Sequence, residues 1–502
     1  MIADAGLATT SWHLLPRLVA AAYTLGFLAL AAYWVKVLLV TIAYGVVRHR
    51  DDVAPTPAEA PVVTVQLPVY NERYVAARVV DAACRLRWPR ERLEVQVLDD
   101  STDETSRIVD DAARAWRGRG VDVKVVRRAD RAGYKAGALA NGLALARGDA
   151  IAVFDADFVP PPDFLERTVP FLRGRVGAVQ ARWGHLNEDA SGLTRAQALA
   201  LDGHFLVEQT ARSRCNLLLN FNGTAGVWRA EAIRSAGGWQ HDTLSEDVDL
   251  SYRAQMAGWR LLFLPDVVAP GEIPTTLPAF KRQQRRWATG TTQVLVKQWR
   301  AVLLSPLPLH VRAHALLSLA SHLVHPVTLG MFLLAPLMLA FQPALHGAVG
   351  LLTLVSLSPP LMLAVAAREL HDDWLRRLAI YPLLALLAVG MSVNGTVAVW
   401  RGLTSRGGEF KRTPKSGGEE QGSLGGARGA YSIAGDRWVA VESALAAYAW
   451  LGLAAALARG SLGLSMFMAL FACGFTLSAV LTLSAQGGAV SPSRRRAPAG
   501  ER

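Results

Sequence analysis

Four stretches of this chain carry no Asp, Glu, Lys or Arg over a length that matters: Leu18–Val35, Ala313–Ala367, Leu378–Trp400 and Leu462–Val490. A bilayer core needs about 20 apolar residues per helix, so these runs constrain the fold before any motif does. Between the first and second lies Asp51–Arg300, charged and broken by turns like an ordinary globular domain. A chain so divided is expected to hold one large soluble domain between membrane helices.

The net charge of +12 does not point to nucleic acid. The soluble part has no basic block with interleaved aromatics. Cations gather instead beside the apolar runs, at Arg48, Arg50, Arg376, Arg377 and Arg494–Arg496, as the positive-inside bias requires. Cys84, Cys215 and Cys473 are far apart, which excludes a disulfide framework or a thiolate metal site. The first apolar run is too long for a signal-peptide core and reads as a retained anchor. Its Lys36 snorkels or faces protein.

Charge also orders the membrane segments. If every run crossed, the cation-rich stretch Arg401–Arg437 would lie outside. Treating 378–404 as a helix in the interface removes the conflict. The expected spans are then about 18–46, 313–340, 347–367, 440–457 and 462–485. The expected organisation is an anchor (1–50), a soluble domain ending in an amphipathic interface helix (51–300), a membrane region (301–490) and a basic tail (491–502). The N-terminus falls outside. The soluble domain, the loop 405–437 and the tail fall on the cytoplasmic side of a plasma membrane of bacterial type. Glu442, inside the fourth span, must face protein or the interface.

Within the soluble block, apolar runs at Val62–Leu67, Leu93–Leu98, Val121–Val126 and Ala150–Phe154 predict strands. Helices are expected near Val75–Leu86, Thr105–Trp116 and Lys135–Ala146. This alternation predicts an α/β domain with a mainly parallel sheet. Ligands of such sheets sit at the carboxyl ends of strands. Tyr70-Asn71-Glu72, Asp99-Asp100 and Asp155-Ala156-Asp157 all fall there. Pro-rich Asp51–Pro61 reads as a linker, and Gly- and Ser-rich Ser416–Gly429 as a mobile loop.

Asp155 and Asp157, two residues apart on the turn leaving a strand, can share Mg²⁺ or Mn²⁺ with substrate phosphates. The ion would neutralise a diphosphate leaving group. Asp99 or Asp100 can accept from a base N–H or a ribose hydroxyl, while Ser101 or Thr102 caps the next helix. Lys135 opens a helix after Gly133, where a cation reaches a phosphate. In Ser245-Glu246-Asp247, Ser245 is a plausible cap, Asp249 pairs with Arg253 one turn on, and Asp247 is the candidate general base beside Glu246. Gln283, Arg286 and Trp287 share a helix; an indole stacks on sugar, and Gln and Arg bind hydroxyls or phosphates. Asn222-Gly223-Thr224 is a polar turn that can line an acceptor channel.

These pieces resemble glycosyltransferase family 2, and within it the processive membrane synthases: cellulose synthase and the cellulose-synthase-like mannan and glucomannan synthases. The resemblance covers about Val62–Trp299. It rests on PVYNE (68–72), LDDSTDET (98–105), GYKAGAL (133–139), DADF (155–158), FNGTAGVWR (221–229), SEDVDLSYRA (245–254) and QQRRW (283–287). It implies a GT-A fold. It also implies that Tyr70, Glu72, Asp99, Asp100, Lys135 and Asp155 hold a nucleotide sugar of the GDP-mannose or UDP-glucose class. Asp155 and Asp157 would hold the metal, and Asp247 would be the base of an inverting transfer. Asn222, Gly223, Thr224, Gln283, Arg286 and Trp287 would meet a glycan or lipid acceptor. Ser245 stands where the family usually has Thr. Phe410–Lys415 resembles the gating loop of cellulose synthase, with Arg412 in place of Val. A glycolipid-forming transferase and a nucleotide-binding transporter are the alternatives; an intact base and metal motif argue against the second.

Overall fold

The computed structural model describes residues 4–49, 60–341, 355–409, 436 and 438–487. The soluble domain is built on seven strands: β1 (Val63–Val69), β2 (Leu93–Asp99), β3 (Asp122–Val126), β4 (Ala150–Val153), β5 (Val176–His185), β6 (Gly226–Arg229) and β7 (Arg260–Gly271). Their order across the sheet is β3-β2-β1-β4-β6-β5-β7. The first four are parallel; β6 runs antiparallel to β4 and β5, and β7 is parallel to β5. Both faces of the sheet are covered, so β1, β2 and β4 are buried on both sides; β4 is wholly apolar, while β1 and β2 alternate apolar residues with the buried polar Thr64, Gln66, Glu94 and Gln96, which pair across the two strands.

The connecting helices α2 (Ala76–Cys84), α3 (Thr105–Arg117) and α4 (Tyr134–Leu145) fall where hydrophobic periodicity places them. The expected cap at Ser101 or Thr102 is not made. The Asp103 carboxylate accepts from Thr105 N at 3.0 Å instead, because the helix starts two turns of chain later than the strand end. Ser101 Oγ is occupied by the Asn71 N–H at 2.9 Å. Two further helices carry candidate residues: α5 (Glu246–Met256) and α6 (Leu277–Leu304).

Further helices include α1 (Asp4–Val47), α7 (Val324–Phe341), α8 (Ser358–Leu370), α9 (Tyr381–Gly390), α10 (Ser392–Thr404), α11 (Val439–Ala458) and α12 (Leu462–Gly487). Among the described residues four stretches are long and apolar enough to cross a bilayer: Leu15–Val47, Ser321–Met338, Val439–Ala458 and Leu462–Ala485. The expected span 313–340 starts too early, since Leu309–Leu319 is a separate helix. Of the expected span 347–367, residues 347–354 lie outside the described residues, and 358–367 belong to α8. The expected interface helix 378–404 is not one helix. Its segment breaks at Met391, and Trp374–Gly390 meets α10 at a 48° bend. Gly390 sits against the Gly474 carbonyl of α12, leaving no room for a side chain at the break. The Phe410–Lys415 and Ser416–Gly429 segments lie outside the described residues.

Two charges within the apolar runs find protein partners. Lys36 Nζ lies 2.9 Å from Glu208 of the soluble domain, and Glu442 is fully buried against Lys281.

The turn into β6 is tightly packed. A Cβ on Gly226 would fall 2.5 Å from the Val179 carbonyl and 2.5 Å from the Phe221 ring. Gly226→Ala should therefore lower thermal stability of the solubilised chain by about 1–3 kcal/mol, the cost of overpacking. An unchanged melting curve would show that β5 and β6 can part without penalty.

Candidate functional site

Parallel register brings the strand ends level. Val69 pairs with Asp99, and Gln66 with Val153. The residues just beyond them open one cleft of about 1310 Å³, counted out to its mouth. Tyr70, Glu72, Asp100, Lys135, Asp155 and Asp157 line its floor, and Asn222, Gly223, Glu246, Asp247, Gln283, Arg286 and Trp287 its far side. Asn71, Tyr134 and Ala225 hold positive φ around it, so backbone strain gathers at the site.

Two candidate residues stand outside the lining. Asp99 is 2% exposed, accepts from Arg127 Nε at 2.9 Å and from Ser101 N at 3.0 Å, and so shapes the turn. Side chains alternate along a strand, which sends Asp99 and Asp100 to different faces. Asp100 is the one in the cleft, held by Arg128 through Nε at 3.0 Å. Thr224 is buried and accepts the Asp155 N–H at 2.9 Å, fixing the metal-motif turn from behind.

Lys135 gathers the site. Its Nζ lies 2.5 Å from Asp155 Oδ1, 2.9 Å from the Gly223 carbonyl and 3.9 Å from Glu246. Burial alone would lower its pKa; Asp155 and Glu246 reverse the sign and raise it, so the ammonium stays charged.

Asp247 occupies the first turn of α5. Ser245 makes no side-chain cap there; the Val248 N–H is met by Asp247 Oδ1 itself at 2.8 Å. Asp249 pairs with Arg253 at 2.8 Å, as expected from their spacing. Gly223 has φ +77°, and a Cβ there would fall 2.7 Å from Asp247 Oδ2. The glycine therefore does two things: it makes the turn and leaves the carboxylate its place. Burial, then the neighbouring Glu246 charge, push the Asp247 carboxyl up to about 7, with Lys135 and Arg286 opposing. A carboxylate near neutrality is suited to take a proton.

Sequence reasoning passed over four lining residues: Arg131, Trp183, His185 and Glu272. Arg131 stacks its guanidinium 3.3 Å above the Tyr70 ring. Trp183 stands 6.4 Å from Trp287, centroid to centroid, so two indoles line the cleft side by side. His185 ends β5 with Nε2 3.0 Å from Asp202. The basic run Arg127-Arg128 with Arg131 was a visible signal; the other three arrive on strands whose register no local pattern sets.

Asp155 and Asp157 offer the all-oxygen donors that Mg²⁺ or Mn²⁺ prefers. Among the described residues no cluster of three or more His, Cys, Asp or Glu forms a closed metal cage. The two carboxylates fit an ion that takes its remaining ligands from substrate phosphates and water.

With this geometry in place, comparison with known proteins is informative. Residues 60–290, a little under half of the chain, match the model described as glycosyltransferase like family 2, and that segment is similar to the family. Its domain has the GT-A fold. Over 254 residues it is 45% identical to glucomannan 4-beta-mannosyltransferase 2 of Arabidopsis thaliana, covering 49% of this chain and 48% of that one. Over 262 residues it is 44% identical to probable glucomannan 4-beta-mannosyltransferase 9 of Oryza sativa subsp. japonica, covering 51% and 50%. The aligned part thus spans about half the length of these relatives. A solved mannosyltransferase from Pyrobaculum calidifontis, in complex with GDP-Man and Mn²⁺, superposes with TM-score 0.54 at 23% identity, over 76% of this chain and 99% of that one. At that identity the likeness concerns the fold.

The Asp247 shift carries a pH signature. A base must be ionised, so kcat/KM should fall about tenfold per pH unit below about 7. Stability should move the other way. A raised folded-state pKa means the folded state binds the extra proton, so stability declines as pH rises from about 4 to about 7. Asp247→Asn should lose about 10²- to 10⁴-fold in transfer and melt higher than the parent at pH 8 but not at pH 4. Near-parental turnover would place the base elsewhere.

Proposed function

We propose that this chain is an inverting hexosyltransferase that moves mannose from a nucleoside diphosphate sugar to the end of a growing β-glycan. One observation carries the reading: a single cleft joins the Asp155/Asp157 floor, the half-buried Asp247 carboxylate and a Gln283/Arg286/Trp287 rim. The rim belongs to α6, which packs on α10 and touches α12. That continuity supports a processive enzyme whose product passes on along the membrane helices. Mannose is favoured by the names of the relatives, and GDP-mannose by the ligand of the archaeal mannosyltransferase.

In this mechanism Tyr70, Glu72 and Asp100 face the nucleotide, and Lys135 meets the diphosphate. Asp155 and Asp157 would hold Mg²⁺ or Mn²⁺, which supplies charge neutralisation for the departing diphosphate. Trp287 stacks on the acceptor sugar while Gln283 and Arg286 bind its hydroxyls. Asp247, with Glu246 beside it, accepts the acceptor's proton as that oxygen attacks the anomeric carbon. Attack opposite the leaving group inverts the centre.

Membranes containing the chain should incorporate label from GDP-mannose into polymer when Mg²⁺ or Mn²⁺ is present, and none in excess chelator. Label entering organic-extractable lipid would assign the glycolipid reading; incorporation from UDP-glucose alone would change the donor. Trp287→Ala should cut elongation at least tenfold with nucleotide affinity retained, read as transfer rate beside a binding isotherm. Normal elongation would remove Trp287 from the acceptor site.

The same reading puts the catalytic domain and the Phe410–Lys415 loop on the cytoplasmic side of the plasma membrane. In a background lacking Cys84, Cys215 and Cys473, a cysteine at position 416 should resist an impermeant thiol reagent applied to intact cells. Labelling from outside would overturn this topology.

A further inference from the structure

We infer that an ion pair buried between α6 and the last two membrane helices, Lys281 with Glu442, is a positioning device that sets the height of the acceptor-binding rim. Lys281 Nζ lies 2.7 Å from each Glu442 oxygen, 3.0 Å from Thr482 Oγ1 and 3.5 Å from Asp436. Ser478 Oγ donates to Glu442 at 2.9 Å. Lys281 is 2% exposed, and Glu442 and Thr482 are fully buried. One turn on, Arg285 Nε donates to Asn394 Oδ1 at 2.8 Å. Asn394 in turn donates through Nδ2 to the Lys281 carbonyl at 3.0 Å. Residues of α6, α10, α11 and α12 thus meet in one polar knot among apolar surfaces.

Helix geometry relates the knot to the cleft. At about 100° per residue, 281 and 285 share one face of α6, and 283, 286 and 287 lie on the opposite one. Holding the first face fixes both the rotation and the rise of the second. An apolar pair of similar volume would be about as stable as a buried ion pair, but would slide. Slippage of α6 by one turn, about 5.4 Å, would carry Trp287 away from Asp247. Charge and hydroxyl partners from separate helices coincide at a single register, so the pair specifies position.

The catalytic part of this inference rests on the transferase reading, and the test separates the two. Glu442→Gln and the double variant Lys281→Met/Glu442→Met are prepared in the full chain. The double variant leaves no unpaired buried charge and guards against simple misfolding. Both should reduce mannose transfer at least tenfold at saturating donor while nucleotide affinity stays within about twofold. The charge-swapped Lys281→Glu/Glu442→Lys chain should recover part of the loss. Hydrogen exchange over 277–290 reads the clamp without substrate and should accelerate in Glu442→Gln. Parental transfer in the double variant, or unchanged exchange in Glu442→Gln, overturns the clamp. Loss of nucleotide affinity in step with transfer does the same, by showing general damage. A parent that transfers nothing while exchange still accelerates leaves the clamp standing and removes the transferase reading.

Discussion

A single buried ammonium holds this site together. Lys135 joins the Asp155 carboxylate, on the turn after β4, to the Gly223 carbonyl and to Glu246 at the head of α5. Those groups come from parts of the chain up to 111 residues from Lys135. Without the cation, Asp155, Glu246 and Asp247 would share one cleft with much less compensating positive charge. With it they coexist around one cleft. The preference of the parallel sheet for ligands at its strand ends provides the place; Lys135 makes an acidic cluster tolerable there.

Asp247 shows the same balance from the other side. Burial and Glu246 raise it, Lys135 and Arg286 restrain it, and the outcome is a carboxyl near neutrality. A fully solvated Asp would be too weak a base, and one without nearby cations would stay protonated. The arrangement costs stability at neutral pH and leaves a carboxyl able to change protonation there, a shift of the kind that gathers at functional sites.

The soluble domain is fastened to the membrane helices by buried charge. Lys36 of α1 reaches Glu208, which also lies 3.1 Å from His204 and 3.6 Å from Arg212. Lys281 of α6 reaches Glu442 of α11. Apolar contact alone between a helix and its neighbours permits many registers, whereas ion pairs with hydroxyl partners permit one. The rim of the cleft lies on α6, which packs on α10 and α12.

Sequence alone determined the elements and their ends. Apolar runs located β1 to β4 and the spans at Leu15–Val47, Val439–Ala458 and Leu462–Ala485, because burial on two faces or in lipid leaves a local signature. The strand-end rule then placed Glu72, Asp155 and Asp157 at one cleft. Tertiary structure decided what local pattern cannot carry. Asp99 and Asp100 are neighbours of equal chemistry, and only the direction of each side chain sent one to Arg127 and the other to the cleft. Trp183, His185 and Glu272 reached the site through the register of β5 against β7. The break at Met391 came from close approach to α12. Glu442, an isolated acid in an apolar run, found Lys281 161 residues away. Periodicity is encoded residue by residue; partnership depends on where distant elements come to rest.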